Sequence, residues 1–303
     1  MKRRELKFNH IDAFTDMQYG GNPAGVVLGA DHLLDDDMHK IARELNVRET
    51  VFVSKSTVAD YQFRFMAPKI EVDFSGHATV AAFHALVEEG FVELVDAVTM
   101  LNLETRTGIL QIEIVKNDTT RRPEIQITHK KPEFLSTYDS KEYADALGLN
   151  LVDIMSLYPI QTVNTGTPQL MVPVTNMGAL ERVRPNWARL KELSENADYV
   201  SIQVFTKDTY DVTSDAHARH FAPGLGVKED PVTGSAAGNM GCYMIHYGFI
   251  DSLNPVTSIV IEQGHILGRP GKVFVEVRGS RKVVDQVKVS GTAVTILKGT
   301  LYL

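Results

Sequence analysis

Two short segments of the 303-residue chain combine groups able to move a proton with backbone able to hold an anion. Asp73-Phe74-Ser75-Gly76-His77 leads into one alanine-rich stretch, and Glu229-Asp230-Pro231-Val232-Thr233-Gly234-Ser235 leads into another stretch of small residues. In each, a carboxylate stands three or four residues before a glycine and a polar side chain just after it. Carboxylates and histidine are common general acids and bases, so His77 and Asp230 are candidates for proton transfer. The structural alternative for Asp73 and Asp230 is capping of a helix start. For His77 it is a hydrogen-bonded histidine in a first helical turn. Helices beginning at Gly76 and Gly234 would each offer free backbone N–H groups and a partial positive charge. Such a start suits a small carboxylate ligand, and glycine lets that ligand approach the backbone.

The elements that must position these groups are mostly strands. Short β-like runs fall at 7–14, 26–28, 50–53, 61–66, 98–103, 109–115, 124–128, 159–164, 169–174, 199–205, 258–263, 273–277, 283–289 and 293–301. Within 109–115, Leu110, Ile112 and Ile114 alternate with polar residues, as a half-buried strand requires. Few helices interleave with these runs, which points to antiparallel α+β sheets rather than a βαβ repeat. A helix is expected at 35–45, with aspartates at its start and Met38, Ile41, Ala42 and Leu45 on one face. Shorter ones are expected at 141–147 and 187–193. The two glycine-led helices should run to Gly90 and Gly248, and their small, uncharged residues imply burial on most faces.

Those two helices read as copies of one unit. Gly76 and Gly234 lie 158 residues apart, and at that offset Gly76/Gly234, Ala78/Ala236, Gly90/Gly248 and Phe91/Phe249 coincide. The same offset pairs Leu103-Glu104 with Ile261-Glu262, and Arg64-Phe65-Met66-Ala67-Pro68 resembles Arg219-His220-Phe221-Ala222-Pro223 at an offset of 155. Self-similarity at half the chain length implies two related domains. Like domains related by a pseudo-twofold axis would bring the two helix starts to a shared cleft.

Composition removes several functions. With 31 basic and 38 acidic side chains the net charge is −7, against a broad phosphate-binding surface, and no basic-aromatic interleaving suggests nucleic acid. The single Cys242 excludes an intrachain disulfide and any mechanism needing two thiols from one chain. Residues 1–5 are basic but no apolar signal core follows, and the charge-free run 154–180 is broken by Pro159, Pro168 and Pro173, so a cytoplasmic protein without a membrane span is expected. His217 and His220 are close in sequence, but no third ligand is indicated, and no metal is expected. Neither a Gly-x-Ser-x-Gly elbow nor a phosphate-binding glycine loop is present.

Further motifs span nearly the whole chain: His10-Ile11-Asp12-Ala13-Phe14-Thr15, Gly21-Asn22-Pro23-Ala24-Gly25-Val26-Val27, Ile41-Ala42-Arg43-Glu44-Leu45-Asn46, Glu49-Thr50-Val51-Phe52 and Val289-Ser290-Gly291-Thr292-Ala293-Val294. With the two glycine segments they make the chain resemble the PhzF-like isomerases, whose fold is that of diaminopimelate epimerase. Among these it is most similar to the uncharacterised bacterial members with Gly-His-Ala-Thr-Val. The resemblance implies two domains, 1–130 with 291–303 and 131–290, each a curved antiparallel-rich sheet or barrel around a central helix, with the active site between them. It implies a cofactor-independent isomerase of a small carboxylate, with Glu49, His77 and Asp230 catalytic and Gly76, Gly234, Ser235 and Asn22 binding substrate. A homodimer is also implied. Residue types and spacing alone do not separate Glu49 from Glu44.

Two departures from the phenazine enzyme's pattern bear on the substrate: Arg48 replaces the serine before the glutamate, and Ala78 replaces the proline after the histidine. Pointing inward, Arg48 would favour an ionised Glu49. The racemases of this fold use two cysteines, whereas Ser75 and Thr233 precede the glycines here, and Cys242, two turns along its helix, reads as a buried apolar side chain. Two other functions fit the same cleft: a non-catalytic carboxylate-binding protein, and a lyase or dehydratase.

Overall fold

A computed structural model of the chain describes residues 5–117, 122–251, 255–280 and 283–303; the basic residues 1–4 lie outside them. The fold is α+β and the chain forms two compact units, Met1–Thr128 with Ser290–Leu303, and His129–Val289.

In the first unit, strand Glu5–Ala13 pairs antiparallel with Ala293–Tyr302 and with Asn22–Leu28. Asn22–Leu28 runs parallel to Glu49–Ser54, which pairs antiparallel with Tyr61–Met66. Tyr61–Met66 then takes Glu71–Val72 antiparallel and Val98–Thr105 parallel, and the latter forms a hairpin with Gly108–Val115. The second unit repeats this plan. Ile160–Asn164 pairs antiparallel with Pro168–Pro173, which runs parallel to Ser201–Thr206. Ser201–Thr206 pairs antiparallel with Ala216–Ala222, which takes Val227–Asp230 antiparallel and Val256–Gln263 parallel. A hairpin to Gly271–Gly279 closes the series. The polarities match pair for pair, so the self-similarity of the sequence is a duplication of topology.

Hydrogen bonds repeat as well. Helix Gly76–Glu88 ends with Phe91 N donating to Leu86 O at 2.8 Å, and helix Gly234–Tyr247 ends with Phe249 N donating to Met244 O at 2.8 Å. Gly90 and Gly248 follow with φ of 74° and 72°, a conformation that β-carbons disfavour. Arg64 grips Glu71 with two N–H donors at 2.8 Å, and Arg219 grips Glu229 likewise at 2.8 and 2.9 Å. Each fork ties a strand to its short antiparallel neighbour just before the glycine-led helix.

Both central helices are buried on nearly every face, as their small residues require: His77 to Leu86 in one, Ala236 to Ile245 in the other. Helix Asp35–Leu45 is amphipathic instead. Met38, Ile41 and Ala42 pack with Phe8, Val27, Phe52 and Met66, while Asp35, Asp36 and Asp37 complement the positive helix start.

Helices Ser140–Leu147 and Trp187–Ser194 form where expected, and Met177–Arg182 adds a short helix the sequence reading lacked. Among the described residues, four strands also fall outside the expected runs: the short Glu71–Val72 and Val227–Asp230, and two longer ones. Ala216–Ala222 is buried at all seven positions and therefore shows no alternation, whereas Glu133–Tyr138 is largely exposed and shows no apolar face. No helix among the described residues is long and apolar enough to cross a membrane.

Candidate functional site

Glu49 is placed by a helix stop. Helix Asp35–Leu45 ends at Asn46, whose left-handed φ of 49° turns the chain out of the helix, and Glu49 opens the next strand three residues later. The parallel ladder with Asn22–Leu28 pairs Glu49 with Ala24. Glu44 stays exposed on the helix while Glu49 is buried, a distinction that residue types alone do not make.

Among the described residues, His77, Ser75 and Arg48 lie close to the Glu49 carboxylate. His77 Nε2 lies 3.1 Å from Oε2, without the alignment of a hydrogen bond. Ser75 Oγ lies 3.5 Å from the same oxygen and 3.3 Å from His77 Nδ1. Arg48 points inward, its Nε 3.4 Å from Glu49 Oε1. A guanidinium at that distance stabilises the carboxylate charge, which meets the condition set by the sequence. In the sequence Ser75 stands out only as the residue at the position of a racemase cysteine; its place between Glu49 and His77 comes from the extended backbone that leads into the helix, with φ −140° and ψ 115°.

His77 is 7% exposed, and burial pushes its imidazole down to about 3, helped by the Arg48 charge and opposed by the Pro23 carbonyl. It is therefore neutral across the physiological range. Asn22, fully buried, opens the strand that runs beside Glu49.

The start of helix Gly76–Glu88 has no side-chain cap and no acidic residue in its first turn. A β-carbon built on Gly76 would meet nothing within 4 Å, so the backbone there is open to a ligand. Asp73 does not cap this helix. Its side chain is 70% exposed and lies 3.5 Å from Arg106 Nε.

The second unit presents the equivalent start at Gly234, again with no side-chain cap and no acidic first turn. Asp230 is buried and accepts a 2.5 Å hydrogen bond from Thr233 Oγ1, so it steadies the residue before the glycine rather than capping the helix. Gln263 reinforces that turn by donating to Asp230 O at 2.8 Å and accepting from Thr233 N at 3.2 Å. Ser235 Oγ accepts from Gln169 Nε2 at 3.1 Å, and Gln169 Oε1 in turn accepts from Asn239 Nδ2 at 2.7 Å. Gln169 and Gln263 were not singled out in the sequence, where a lone glutamine between apolar residues carries no motif.

The duplication is chemically unequal. The parallel ladder that pairs Ala24 with Glu49 pairs Gln169 with Ser201 in the second unit, so this position holds a carboxylate in the first unit only. Cys242 is buried, and burial pushes its thiol up to about 12, which makes it inert as a base. Two surface grooves of the first unit, one beside Arg43 and Tyr302 and one beside His84 and Arg122, contain none of the site residues.

A profile of the family described as phenazine biosynthesis-like protein matches residues 11–299. An uncharacterized isomerase of Clostridium acetobutylicum is 36% identical to the chain, over 99% of each. A phenazine biosynthesis protein of the PhzF family from Bacillus anthracis has a similar solved structure, with a TM-score of 0.88, 35% identity and coverage of 98% of this chain and 99% of its own. A hydroxyproline epimerase from Agrobacterium vitis, at 13% identity and a TM-score of 0.64 over 100% of this chain and 93% of its own, shares the epimerase-like fold.

Proposed function

The chain belongs to the phenazine biosynthesis-like protein family, relatives of which are named isomerases, and from that premise we propose that it is a cofactor-independent isomerase of a small carboxylate. The observation that carries this reading is a buried carboxylate, Glu49, set beside a neutral imidazole in the first turn of an uncapped helix. An ionised carboxylate is a competent base when the substrate carbon is acidified by neighbouring unsaturation. Glu49 takes the proton, the electron pair moves into the conjugated system, and the resulting carboxylic acid returns a proton at a second carbon. His77 stays uncharged and serves as a hydrogen-bonding neighbour or second proton carrier. Ser75 holds the pair in register.

Substrate charge would be met by backbone N–H groups at Gly76 and Gly234, with Ser235 and Asn22 as further contacts. Asp230 would act as a second acid/base group. Fixed N–H donors suit this task because they need no reorganisation as charge shifts during the reaction.

The test is deuterium incorporation from heavy water into cyclic or unsaturated acids, followed by NMR. Label should enter at two carbons with the wild-type chain. Glu49→Gln should slow exchange by about 10²–10⁴-fold, the usual contribution of a positioned acid/base group. Equal exchange in Glu49→Gln rules out the assignment of Glu49. Binding without exchange would indicate a carboxylate-binding protein, and loss of water from the substrate a dehydratase.

A further inference from the structure

The second unit holds a cluster that this acid/base reading does not use. His217 lies on strand Ala216–Ala222, which pairs it in parallel register with Glu262, and both side chains are fully buried. His265, in the turn just after Glu262's own strand Val256–Gln263, brings a third ligand group, and one ligand atom from each residue lies within 4.8 Å of the others. His220, three residues from His217, turns away to Gln203 at 2.8 Å. The sequence suggested no third ligand because Glu262 and His265 stand far along the chain.

We propose that His217, Glu262 and His265 bind one divalent transition-metal ion of the zinc class. His217 Nδ1 lies 3.3 Å from Glu262 Oε2 without hydrogen-bond alignment. Two ligands about 2.0–2.1 Å from a tetrahedral ion are separated by about 3.3–3.4 Å, so the spacing suits two ligands sharing an ion. Among the described residues, neither ring nitrogen of His217 and not Nδ1 of His265 has a hydrogen-bond partner. A fully buried imidazole with both nitrogens unsatisfied is costly unless something coordinates it.

The carboxylate is held from behind, as a metal ligand's outer shell requires. Tyr210 N donates to Oε2 at 2.9 Å and Asp211 N to Oε1 at 2.8 Å. Lys272 Nζ is engaged by Asp211 at 2.5 Å. His265 stacks on Tyr210 with ring centroids 4.6 Å apart, and its partial exposure leaves a path for an ion.

The first unit supplies an internal control. There the equivalent parallel pair is Gln62 and Glu104, and Gln62 Nε2 donates to Glu104 Oε1 at 2.9 Å. The amide closes that pair with an ordinary hydrogen bond. In the second unit the same position carries an imidazole, with a second histidine beside it. A His₂Glu set is a familiar zinc donor set and leaves a fourth position open.

The experiment uses the full chain, stripped with a chelator and titrated with Zn²⁺ alone by calorimetry, and with Co²⁺ followed by visible absorption. One equivalent should bind, with Co²⁺ bands of a four- or five-coordinate site, and excess Zn²⁺ should raise the unfolding midpoint. His217→Gln reproduces the Gln62 arrangement and should fold but bind at least about 100-fold more weakly. His265→Gln, on a partly exposed turn, should do the same and serves if the first variant is unstable. Absence of a stoichiometric site at about 100 μM Zn²⁺, or one that persists in both variants, overturns the proposal.

Discussion

His77 Nε2 stands 3.1 Å from Glu49 Oε2, yet burial keeps the imidazole uncharged, so the two groups meet as a carboxylate and a neutral ring rather than as an ion pair. The carboxylate's charge is balanced instead by Arg48, 3.4 Å away on the other oxygen.

The first prediction concerns the protonation of that ring. Because His77 is pushed down to about 3, its ring C–H resonances should not move between pH 5 and 8. A midpoint near 6.5 would show an imidazolium and remove the neutral-ring reading. His77→Gln keeps an N–H donor and should retain more exchange activity than His77→Phe, which has no polar atom to offer Glu49 or Ser75.

Acid should destabilise the protein well before its carboxylates protonate. Burial pushes His84 and His129 down to about 4, as it does His77 to about 3. In the unfolded chain each titrates near about 6.5, so there the unfolded state binds more protons. Stability is then full above about pH 6.5 and falls as pH drops toward 4, by about 2 kcal/mol per histidine between pH 7.5 and 5. Urea midpoints across this range measure the slope, and His84→Gln should flatten it. A stability that stays level from pH 7.5 to 5 contradicts the neutral buried state of these rings.

Two glycines should behave oppositely when replaced by alanine. A β-carbon on Gly76 meets open space, so Gly76→Ala should melt within a few degrees of wild type while weakening carboxylate binding. On Gly238 it would lie 2.9 Å from both His129 Nδ1 and Val289 Cγ2, inside the packed second unit. Gly238→Ala should cost about 1–3 kcal/mol by overpacking. Thermal melts with a carboxylate titration separate the two outcomes, and unchanged binding by Gly76→Ala argues against ligand approach at that backbone.

The repeated arginine forks are unequal in cost. Arg219 is 6% exposed and, besides gripping Glu229, donates to Leu180 O and Val183 O at 3.0 Å. Arg219→Met leaves a carboxylate and two carbonyls without their donor and should destabilise by about 3–5 kcal/mol. Arg64 is more exposed and binds Glu71 and Asp35, so Arg64→Met should cost about 1 kcal/mol. Chemical denaturation of the two variants tests the ranking. Arg219→Lys should not rescue, because an ammonium cannot form the fork.

Local pattern determined much of this protein. Helix Asp35–Leu45 follows from its aspartates and its 3.6-residue apolar spacing, the two glycine-led helices from their small residues, and the duplication from a constant offset that the pairing ladders reproduce. One cysteine was enough to exclude two-thiol racemisation. Glu49 stood out only through family motifs, since its residue type and spacing match those of Glu44.

The tertiary structure decided what depends on neighbours distant in sequence. The strand Ala216–Ala222 is covered on both faces, which erases the alternation a sequence reading needs. Whether Arg48 points inward, whether His77 carries charge, and whether Asp73 and Asp230 cap their helices are set by packing and desolvation, not by spacing. His217 met Glu262 and His265 only once two strands lay side by side, because a ligand set is a property of three-dimensional proximity and leaves no period in the chain.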